Sequence, residues 1–507
     1  MTDAVIASDL GSSGCKTVAV GLPTGRVLAA ARNDYPTTYA KPGWVEQDPE
    51  DWYGAVIRSV TEVMENPALR GVRIAAFVPI GVTHTAVLLD GSGHPIAPSI
   101  LMFDSRSAAD ACRLDARWDG EIQRRTLNTP TATWTWPQLA WVREHQPDVW
   151  ERVERITFQK DYVRGRLVAG HVTDHIDAAG SLLFDPIAEA WVEQFYGDLG
   201  LAKSVLPRTA DPLDVVGEIG TTAAAATGLP PGTPVVVGTT DTVSEMLGSG
   251  AVRAHQGVVK LASVGRIAVV NDGPVERPNI LNYRHLIDGL WYPGTASKYA
   301  ASAYRWLRET VWLDHAGSSV YRSMDEAASA VPPGSDGLVF HAHLNGQWAP
   351  HWNDDLRGGF IGLTARHSRA HLTRAVLEGV AFSIRDALSE LESRGVTPTS
   401  FRLIGQGSVS ALWAQTLADV LERPLAVPAN VDAAYGGALA GAMGVGLLER
   451  SADAVEAVVD RGTNAYQPDA RRSAIYRDLF AIYREMVADL ERYAPRLMDI
   501  ERRAQEH

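Results

Sequence analysis

The chain has 507 residues and a formal net charge of −13, with 46% hydrophobic and 21% charged residues. This length exceeds one average hydrophobic core, so the composition predicts a globular protein of two domains. The negative charge argues against nucleic acid or a membrane surface as a partner, but it is compatible with a local site for an anionic ligand.

Cysteine usage and the first residues indicate the cellular compartment. The two cysteines, Cys15 and Cys112, give no disulfide framework and are typical of a reducing cytoplasm. The N-terminal segment has no basic region followed by a long apolar core, so we expect no signal peptide. No run of about 18 apolar residues predicts a membrane span. We therefore expect a cytoplasmic protein.

The first predicted elements form a β-meander of three short apolar segments, VIASDL, TVAVGL and RVLAAARNDY. The turn between the first two combines small residues, hydroxyls and a cation: Gly11, Ser12, Ser13, Gly14 and Lys16. Its glycines permit a tight turn whose backbone N–H groups can converge on an anion. Asp9 suits such a site if Mg²⁺ lies between it and a phosphate. An ordinary hairpin with Asp9 capping the turn is the alternative.

A helix and a strand are predicted next, and three polar residues in and after the strand are candidates for ligand contact. The segment QDPEDWYGAVIRSVTEVMEN predicts a helix with Asp48 as N-cap and Pro49 at its first position. A strand over RIAAFVPIGVTHTAVLLD comes next and contains His84. His84, Asp104 and Arg106 can contact a hydroxylated ligand, or each can be an internally satisfied structural group.

The middle of the chain, TPVVVGTTDTVSEMLGSGAV, predicts a buried strand that leads into a helix. Asp241 stands at the carboxyl end of that strand, where open α/β sheets bind ligands, and it can take a proton from a hydroxyl. The alternative is a helix cap, because Asp is a preferred N-cap and Thr242 with Glu245 fits a capping box. The segment QGVVKLASVGRIAVVND then repeats the opening pattern, which predicts a second copy of the same unit starting near residue 253.

The second half predicts further helices and one glycine loop. LTRAVLEGVAFSIRDALSELESRG has helical spacing of its apolar residues, and Gly395 ends it. Gly405 and Gly407 stand between a strand and a helix, where glycines let a nucleotide approach the backbone. The small residues of 433–444 indicate close helix packing, and AIYRDLFAIYREMVADLERYA predicts a packing helix. The sequence contains no P-loop, no G-x-S-x-G and no His/Cys cluster with metal-ligand spacing.

Together and in this order, these segments resemble the FGGY family of carbohydrate kinases, most of all its xylulose kinases, over nearly the whole chain. DLGSSGCKTVAV is similar to the first phosphate hairpin of the family, and GWVEQDPEDWYGA resembles the segment after it. The most specific match is FQKDYVRGRLVAGHVTDHIDAAGSLLFD, which has the Lys-Asp-Tyr to Thr-Asp-x-x-Asp-Ala pattern. GGFIGLTARHSRAHLTRAVLEGVAFSIRD and LIGQGSVSALWAQTLADVLERPL match second-domain signatures.

The resemblance implies an α/β fold of two ribonuclease-H-like, actin-like domains with ATP and sugar in the cleft between them. It divides the chain into residues 1–250, with the sugar site and first phosphate hairpin, residues 251–465, with the nucleotide site, and a helical tail over residues 466–507. It implies an ATP-dependent kinase of a small sugar that uses Mg²⁺, and it allows a homodimer.

The resemblance also assigns roles to single positions. Asp241 matches the catalytic base, and Asp9 faces Mg²⁺. The nucleotide-contacting positions belong to two hairpins and the glycine loop: Gly11, Ser12, Ser13, Lys16, Ser263, Gly265, Gly405, Gly407 and Ser408. The sugar-contacting positions are Thr83, His84, Asp104, Asp241 and Thr242.

Three departures from the family pattern bear on these roles. The second phosphate hairpin reads LASVG, with Ala262 and Ser263, where the family usually reads close to Leu-Gly-Thr-Ser-Gly. Thr242 stands where xylulose kinases usually carry Asn, and Val82 and Thr83 stand where they usually carry Gln and Met. Because the last two departures face the sugar, the substrate stays open: a xylulose-like pentulose is favoured, and glycerol, ribulose, gluconate or another polyol or sugar acid is the alternative.

Two other classes of function remain. The altered second hairpin is compatible with a sugar or nucleotide sensor that no longer phosphorylates, but the retained Asp9, Lys16 and Asp241 argue against it. Actin-like and chaperone-like ATPases share this architecture. The KDYVRGRL and GFIGLT segments match the carbohydrate kinases and therefore argue against an ATPase of that kind.

Overall fold

The structure, a computed structural model, describes residues 2–313, 320–430, 432–459 and 464–505. Within them, strands β1 to β23 are, in chain order, Asp3–Leu10, Gly14–Leu22, Arg26–Asp34, Glu46–Gln47, Arg73–Gly81, Ala86–Leu89, Ser99–Ile100, Arg155–Phe158, Val172–Asp174, Phe184–Asp185, Ala190–Trp191, Arg208–Ala210, Val215–Glu218, Pro234–Val236, Thr239–Thr240, Gln256–Leu261, Gly265–Val269, Gly294–Ser297, Val339–His341, Gly359–Ile361, Ser400–Ile404, Leu425–Val427 and Asn464–Tyr466.

Helices alternate with these strands. Helices α1 to α17 are Pro49–Met64, Ala108–Trp118, Glu121–Thr126, Thr135–His145, Pro147–Trp150, Gln159–Leu167, His175–Ala179, Glu193–Asp198, Thr221–Thr227, Asp241–Gly248, Ala301–Val311, Val320–Ser329, Arg369–Glu392, Ala411–Leu421, Ala433–Gly444, Ala452–Val458 and Ala470–Gln505. Short 3₁₀ helices cover Pro67–Leu69, Lys203–Val205, Ser335–Gly337 and Gln406–Val409. Among the described residues, no helix combines the length and the apolar character needed to cross a bilayer.

The first of two compact units contains the described residues of Met1–Val252, Asp272–Trp291 and Asn430–Asp460. Its main sheet has the strand order β13-β14-β5-β1-β2-β3. Strands β1, β2 and β3 form an antiparallel meander, as the opening segments predict. Strand β5 pairs with β1 in parallel, β14 pairs with β5 in parallel, and β13 closes the edge in the antiparallel direction.

The second unit contains the described residues of Arg253–Asn271, Tyr292–Ala429 and Arg461–His507. Its main sheet has the order β18-β17-β16-β21-β22-β23, again with an antiparallel meander, two parallel pairings and an antiparallel edge. The two sheets thus share one strand order and one set of directions. This confirms the predicted second copy near residue 253 and the α/β fold of two related domains.

The units differ from the predicted chain division in two segments, because 272–291 and 430–460 pack in the first unit. Helix α15 gives the physical reason. Its glycines let it approach helix α10 closely: a Cβ added at Gly436 would lie only 1.8 Å from the carbonyl oxygen of Ser244. The small residues of 433–444 are therefore close helix packing, as predicted, and the packing partner is the first unit.

Helix α1 covers one face of the first meander. The carboxylate of Asp48 accepts the N–H of Glu50 at 2.9 Å, and Pro49 occupies the first helical position, so the predicted start of this helix is confirmed. Trp52 and Val56 are completely buried on its inner face. Burial of an apolar side chain of this size stabilises the fold by about 1.5–3 kcal/mol, so this face fixes the helix on the meander.

Two long helices shape the second unit. Helix α13 ends at Glu392, three residues before Gly395, which has the positive φ of a helix-terminating glycine at 84°. Helix α17 buries Tyr476 and Tyr483, so the tail is a packing helix as predicted.

Candidate functional site

Three chain segments of the first unit end at one edge of its main sheet. Strands β1, β5 and β15 run parallel, with Leu10 and Thr240 both in register with Gly81 at the end of β5. The hairpin of residues 9–16, the segment 82–84 and Asp241 follow these strand ends. Ligands of open α/β sheets bind at the carboxyl edge of the strands, so this edge is the candidate site.

Asp241 is the first residue of α10, and the N-cap is Thr240. Its Oδ1 accepts the backbone N–H of Thr242 at 2.7 Å and lies 3.2 Å from the Thr242 hydroxyl and 3.3 Å from the Thr83 hydroxyl. Because Thr240 is the N-cap of the helix, Thr242 and Glu245 do not occupy the N-cap and N3 positions, and the capping-box interpretation is wrong. Several donors on one oxygen fix the plane of the Asp241 carboxylate.

Side chains that do not belong to the sheet bind the backbone of segment 82–84. The N–H of Val82 donates to Oε1 of Gln159 at 2.8 Å, and the N–H of His84 donates to Oδ1 of Asp177 at 2.5 Å. His84 has a φ of 52°, in the left-handed region, and its buried ring packs against Trp134 at an interplanar angle of 32°, with the ring centroids 4.8 Å apart. The structure thus brings Thr83, Asp241 and Thr242 together, and His84 follows Thr83 in the chain.

Acid should destabilise the protein partly through His84, because burial lowers the pKa of this imidazole to about 3. The unfolded ring binds a proton below about pH 6.5, so between about pH 6.5 and 3 the unfolded state binds more protons and the free energy of unfolding falls as the pH falls. We expect His84→Gln to reduce this pH slope by up to about 1.4 kcal/mol per pH unit. Urea unfolding at pH 7 and pH 5 measures the slope. The exposed His94→Gln is the control, and equal slopes in both variants would contradict the prediction.

Asp104 lies apart from this group in its own polar network. Its carboxylate pairs with the Arg106 guanidinium at 2.7 Å and accepts the N–H groups of Val45 at 2.6 Å and Arg106 at 2.8 Å. Arg106 also pairs with Glu46 at 2.7 Å and lies over the Trp44 ring. These bonds satisfy the Asp104 carboxylate within the protein, and its contact with a sugar stays a prediction.

The first hairpin presents Ser12 and Ser13 at an exposed tip. Its carbonyl groups are held from two sides: Tyr35 donates its hydroxyl to Gly11, and Gln47 donates its amide to the carbonyl of Ser12 at 2.9 Å. A Cβ added at Gly14 would lie 2.9 Å from both the carbonyl oxygen of Asn33 and the Cα of Asp34, so the neighbouring backbone favours glycine at this position. The tip therefore has a fixed shape, which an anion-binding turn needs.

Charged side chains flank this tip. Lys16 Nζ pairs with Asp432 Oδ2 at 2.6 Å, and Arg32 donates to the hydroxyl of Ser13 at 2.9 Å and to Asp34 at 2.8 Å. Lys16 and Arg32 are register partners on β2 and β3. Arg32 and Asp432 are not among the site residues predicted from the sequence. Aligning the predicted third strand against the second could have revealed Arg32, whereas Asp432 is 416 positions from Lys16 and has no local signal.

A Mg²⁺–phosphate group fits the donor set at this hairpin. Asp9 is the register partner of Lys16, so its carboxylate stands at the base of the turn beside the ammonium that pairs with Asp432. Among the described residues, no group of three or more His, Cys, Asp and Glu could hold a metal alone. Mg²⁺ is commonly bound by one or two carboxylates, phosphate oxygens and water, and the single Asp9 carboxylate suits that mode.

The second unit brings its own predicted residues together. Strands β16 and β21 are parallel, so the turn of residues 262–264 and the loop at Gly405 follow neighbouring strand ends. Gly405 has a φ of 85°, and a Cβ there would lie 2.7 Å from the carbonyl oxygen of Leu261. A Cβ at Gly407 would lie 2.7 Å from Leu261 Cβ, and Ser408 donates its hydroxyl to the carbonyl of Gly405 at 2.7 Å. Glycine at both positions allows this loop to lie against the hairpin strand.

The second hairpin is held in place through its backbone carbonyl groups. The carbonyl of Ala262 accepts the N–H of Ala301 at 2.8 Å, and the carbonyl of Ser263 accepts the N–H of Ala300 at 3.0 Å. Gly265 opens strand β17 directly after the turn. The turn is therefore anchored to the start of α11 through its backbone, which does not depend on the identity of its side chains.

Comparisons with known proteins match nearly the whole chain. Models of the N-terminal and C-terminal domains of the FGGY family of carbohydrate kinases match residues 4–248 and 273–445. The xylulose kinase of Klebsiella pneumoniae is 30% identical over 94% of this chain and 97% of its own length. The gluconokinase of Bacillus subtilis (strain 168) is 26% identical over 99% of both chains. The crystal structure of xylulose kinase from Rhodospirillum rubrum superposes with a TM-score of 0.89 at 29% identity, covering 97% of this chain and 99% of the other. The chain belongs to the FGGY family of carbohydrate kinases.

Proposed function

We propose that this ATP-dependent carbohydrate kinase phosphorylates a hydroxyl group of a xylulose-like pentulose and uses Mg²⁺ at the first phosphate hairpin. The observation that carries the proposal is the Asp241 carboxylate, fixed at the sheet edge where strands β1 and β5 also end. Relatives named xylulose kinase support the substrate class. A second candidate class is a sugar acid, which the B. subtilis gluconokinase supports through its match over 99% of the chain.

The residues of the site divide the reaction between them. Asp241 accepts the proton of the sugar hydroxyl while the oxygen forms its bond to the γ-phosphorus and ADP leaves. Lys16 and Arg32 add positive charge near the phosphates, and the hairpin N–H groups orient them. Mg²⁺, when bound, neutralises phosphate charge, and Asp9 would hold it. Catalysis is then mostly positioning and charge stabilisation.

A coupled assay of ADP release tests this function. D-xylulose, ribulose, glycerol, erythritol and gluconate are supplied one at a time with Mg²⁺ and ATP. A kinase releases ADP only when its sugar is present, an ATPase releases it without sugar, and a sensor releases none. Sugar-independent release, or no release with any member of the panel, would contradict the proposal.

Removing the Asp9 carboxylate should raise the apparent Mg²⁺ requirement. Asp9→Ala deletes the carboxylate that we assign to Mg²⁺, so phosphate positioning weakens at low Mg²⁺ and recovers in part at high Mg²⁺. A Mg²⁺ titration of the initial rate at saturating ATP measures the shift. Asp3→Ala, at the other end of β1, is the matched control. An Mg²⁺ titration of Asp9→Ala that superposes on that of Asp3→Ala would remove Asp9 from the site.

The cysteines support a reducing cytoplasm as the place of action. Cys15 is buried and Cys112 is exposed, and both are free thiols. Exposed free thiols persist where the compartment is reducing, and ATP is available there as the co-substrate.

A further inference from the structure

Five charged side chains lie buried together in the first unit: Lys160, Asp161, Arg164, Asp174 and Asp177, each at most 2% exposed. Lys160 Nζ contacts a carboxylate oxygen of each aspartate, at 2.8 Å (Asp161), 2.8 Å (Asp174) and 3.3 Å (Asp177). Arg164 pairs with Asp161 at 2.6 Å. We call this group the Lys160 network. The catalytic proposal above uses none of its members.

A buried ionic network of this kind needs an explanation beyond stability. Desolvation of buried charges can exceed the attraction between them, and apolar residues of similar volume are often as stabilising or more so. Two cations face three aspartates here, and burial raises the pKa of the Asp177 carboxyl to about 7, so the third carboxyl is not fully ionised at neutral pH. The other contacts of these carboxylates indicate which parts of the protein the network positions.

Asp177 holds the segment that carries Thr83. Its Oδ2 faces Lys160, and its Oδ1 accepts the N–H of His84 at 2.5 Å. His84 has a φ of 52°, a left-handed conformation that costs free energy for a non-glycine residue and requires support from its surroundings. The hydrogen bond to Asp177 supplies that support directly next to Thr83.

Asp174 holds the strand that leads into Asp241. Its Oδ1 accepts the hydroxyl of Thr239 at 3.2 Å, two residues before Asp241 in the chain, while its Oδ2 faces Lys160. The helix that begins after Asp174 also packs tightly on the other segment, because a Cβ added at Gly180 would lie 2.8 Å from the ring of His84. One lysine thus joins two carboxylates that each bind a different side of the candidate sugar site.

We propose that Asp174 and Asp177, joined by Lys160, are positioning residues that set the separation of Thr83 and Asp241 and thereby the fit of the sugar. This inference rests on the sugar site proposed above. Neither aspartate touches the reacting groups. Variants of these residues should therefore bind the sugar more weakly and transfer the phosphoryl group more slowly, while their affinity for ATP stays unchanged.

Two variants with matched controls test the inference. Asp177→Ala removes the acceptor for His84, and Asp177→Asn restores an oxygen acceptor of the same shape. Thr239→Val removes the hydroxyl that binds Asp174 without changing size or charge. Its control is Thr173→Val, an equally buried threonine whose hydroxyl has no hydrogen-bond partner among the described residues.

We expect Asp177→Ala and Thr239→Val to lower kcat/KM for the sugar about tenfold to a hundredfold, the scale expected for an ångström-sized misplacement. The KM for ATP should be unchanged, Asp177→Asn should recover part of the loss, and Thr173→Val should match wild type. A loss of kcat/KM in Thr239→Val no larger than in Thr173→Val would overturn the inference, even if Asp177→Ala does not fold.

Amide hydrogen exchange gives a second readout that does not require turnover. Exchange in the peptides covering 82–86 and 239–243 should be faster in Thr239→Val than in wild type, and unchanged in Thr173→Val. Wild-type exchange in both variants would overturn the positioning role. If wild type releases no ADP with any sugar, the proposed function fails, and the exchange rates still decide whether the network orders the two segments.

Discussion

Replacing Asp241 with asparagine is expected to lower kcat by about 10²- to 10⁴-fold, the usual contribution of a general base. Asparagine has the same shape, and its Oδ1 can still accept the N–H of Thr242, the bond that orients Asp241 at the start of α10. The amide cannot take the proton of the sugar hydroxyl, so the loss appears in the chemical step. ATP binding should stay close to wild type, because none of the residues assigned to the nucleotide is changed.

Sugar-dependent ADP release gives kcat for this variant, and calorimetric titration gives its affinity for ATP. Asp48→Asn is the matched control, since it removes another carboxylate from the start of a helix, where Asp48 accepts the N–H of Glu50. Its activity should equal that of wild type. A kcat for Asp241→Asn within about twofold of wild type, with only a lower Tm, would assign Asp241 a purely structural role at its helix.

Local patterns in the sequence were enough for several elements, but they predicted one strand containing His84 where the structure has two, β5 ending at Gly81 and β6 beginning at Ala86. The apolar segments separated by small residues predicted both meanders, and Asp48 with Pro49 predicted the start of α1, because these signals depend on neighbours in the chain. The composition of 433–444 predicted close packing. It could not identify the first unit as the partner, since that depends on contacts between residues far apart in the chain.

Long-range pairing limited what could be predicted for the site. Asp432 pairs with Lys16 although the two residues are 416 positions apart in the chain. No local sequence pattern at either residue predicts this pairing. The role of Asp104 was left open because the sequence does not show that Arg106 and the backbone of Val45 bind its carboxylate. The network around Lys160 matched a family pattern, but its links to His84 and Thr239 depend on burial, which is a property of the folded chain.

Substrate choice should differ from that of the xylulose kinases that the chain resembles. The hydroxyls of Thr83 and Thr242 lie 3.3 Å and 3.2 Å from Asp241 Oδ1, so both side chains border the candidate base. Xylulose kinases usually carry Asn at the second position, and Gln at the position of Val82. An amide offers donors and acceptors in a fixed plane, whereas a threonine hydroxyl is shorter and valine offers none.

A sugar hydroxyl that loses its partner costs about 1–3 kcal/mol, because a desolvated polar group is left unsatisfied. This corresponds to roughly five- to more than a hundredfold in kcat/KM, since about 1.4 kcal/mol is a factor of ten. We therefore expect D-xylulose to be a poorer substrate than another pentulose, polyol or sugar acid in a panel with ribulose, glycerol, erythritol and gluconate. The triple variant Val82→Gln, Thr83→Met and Thr242→Asn should shift preference toward D-xylulose, while its KM for ATP stays that of wild type. The hypothesis fails if wild type already has its highest kcat/KM with D-xylulose, because the amides would then contribute nothing that valine and threonine lack.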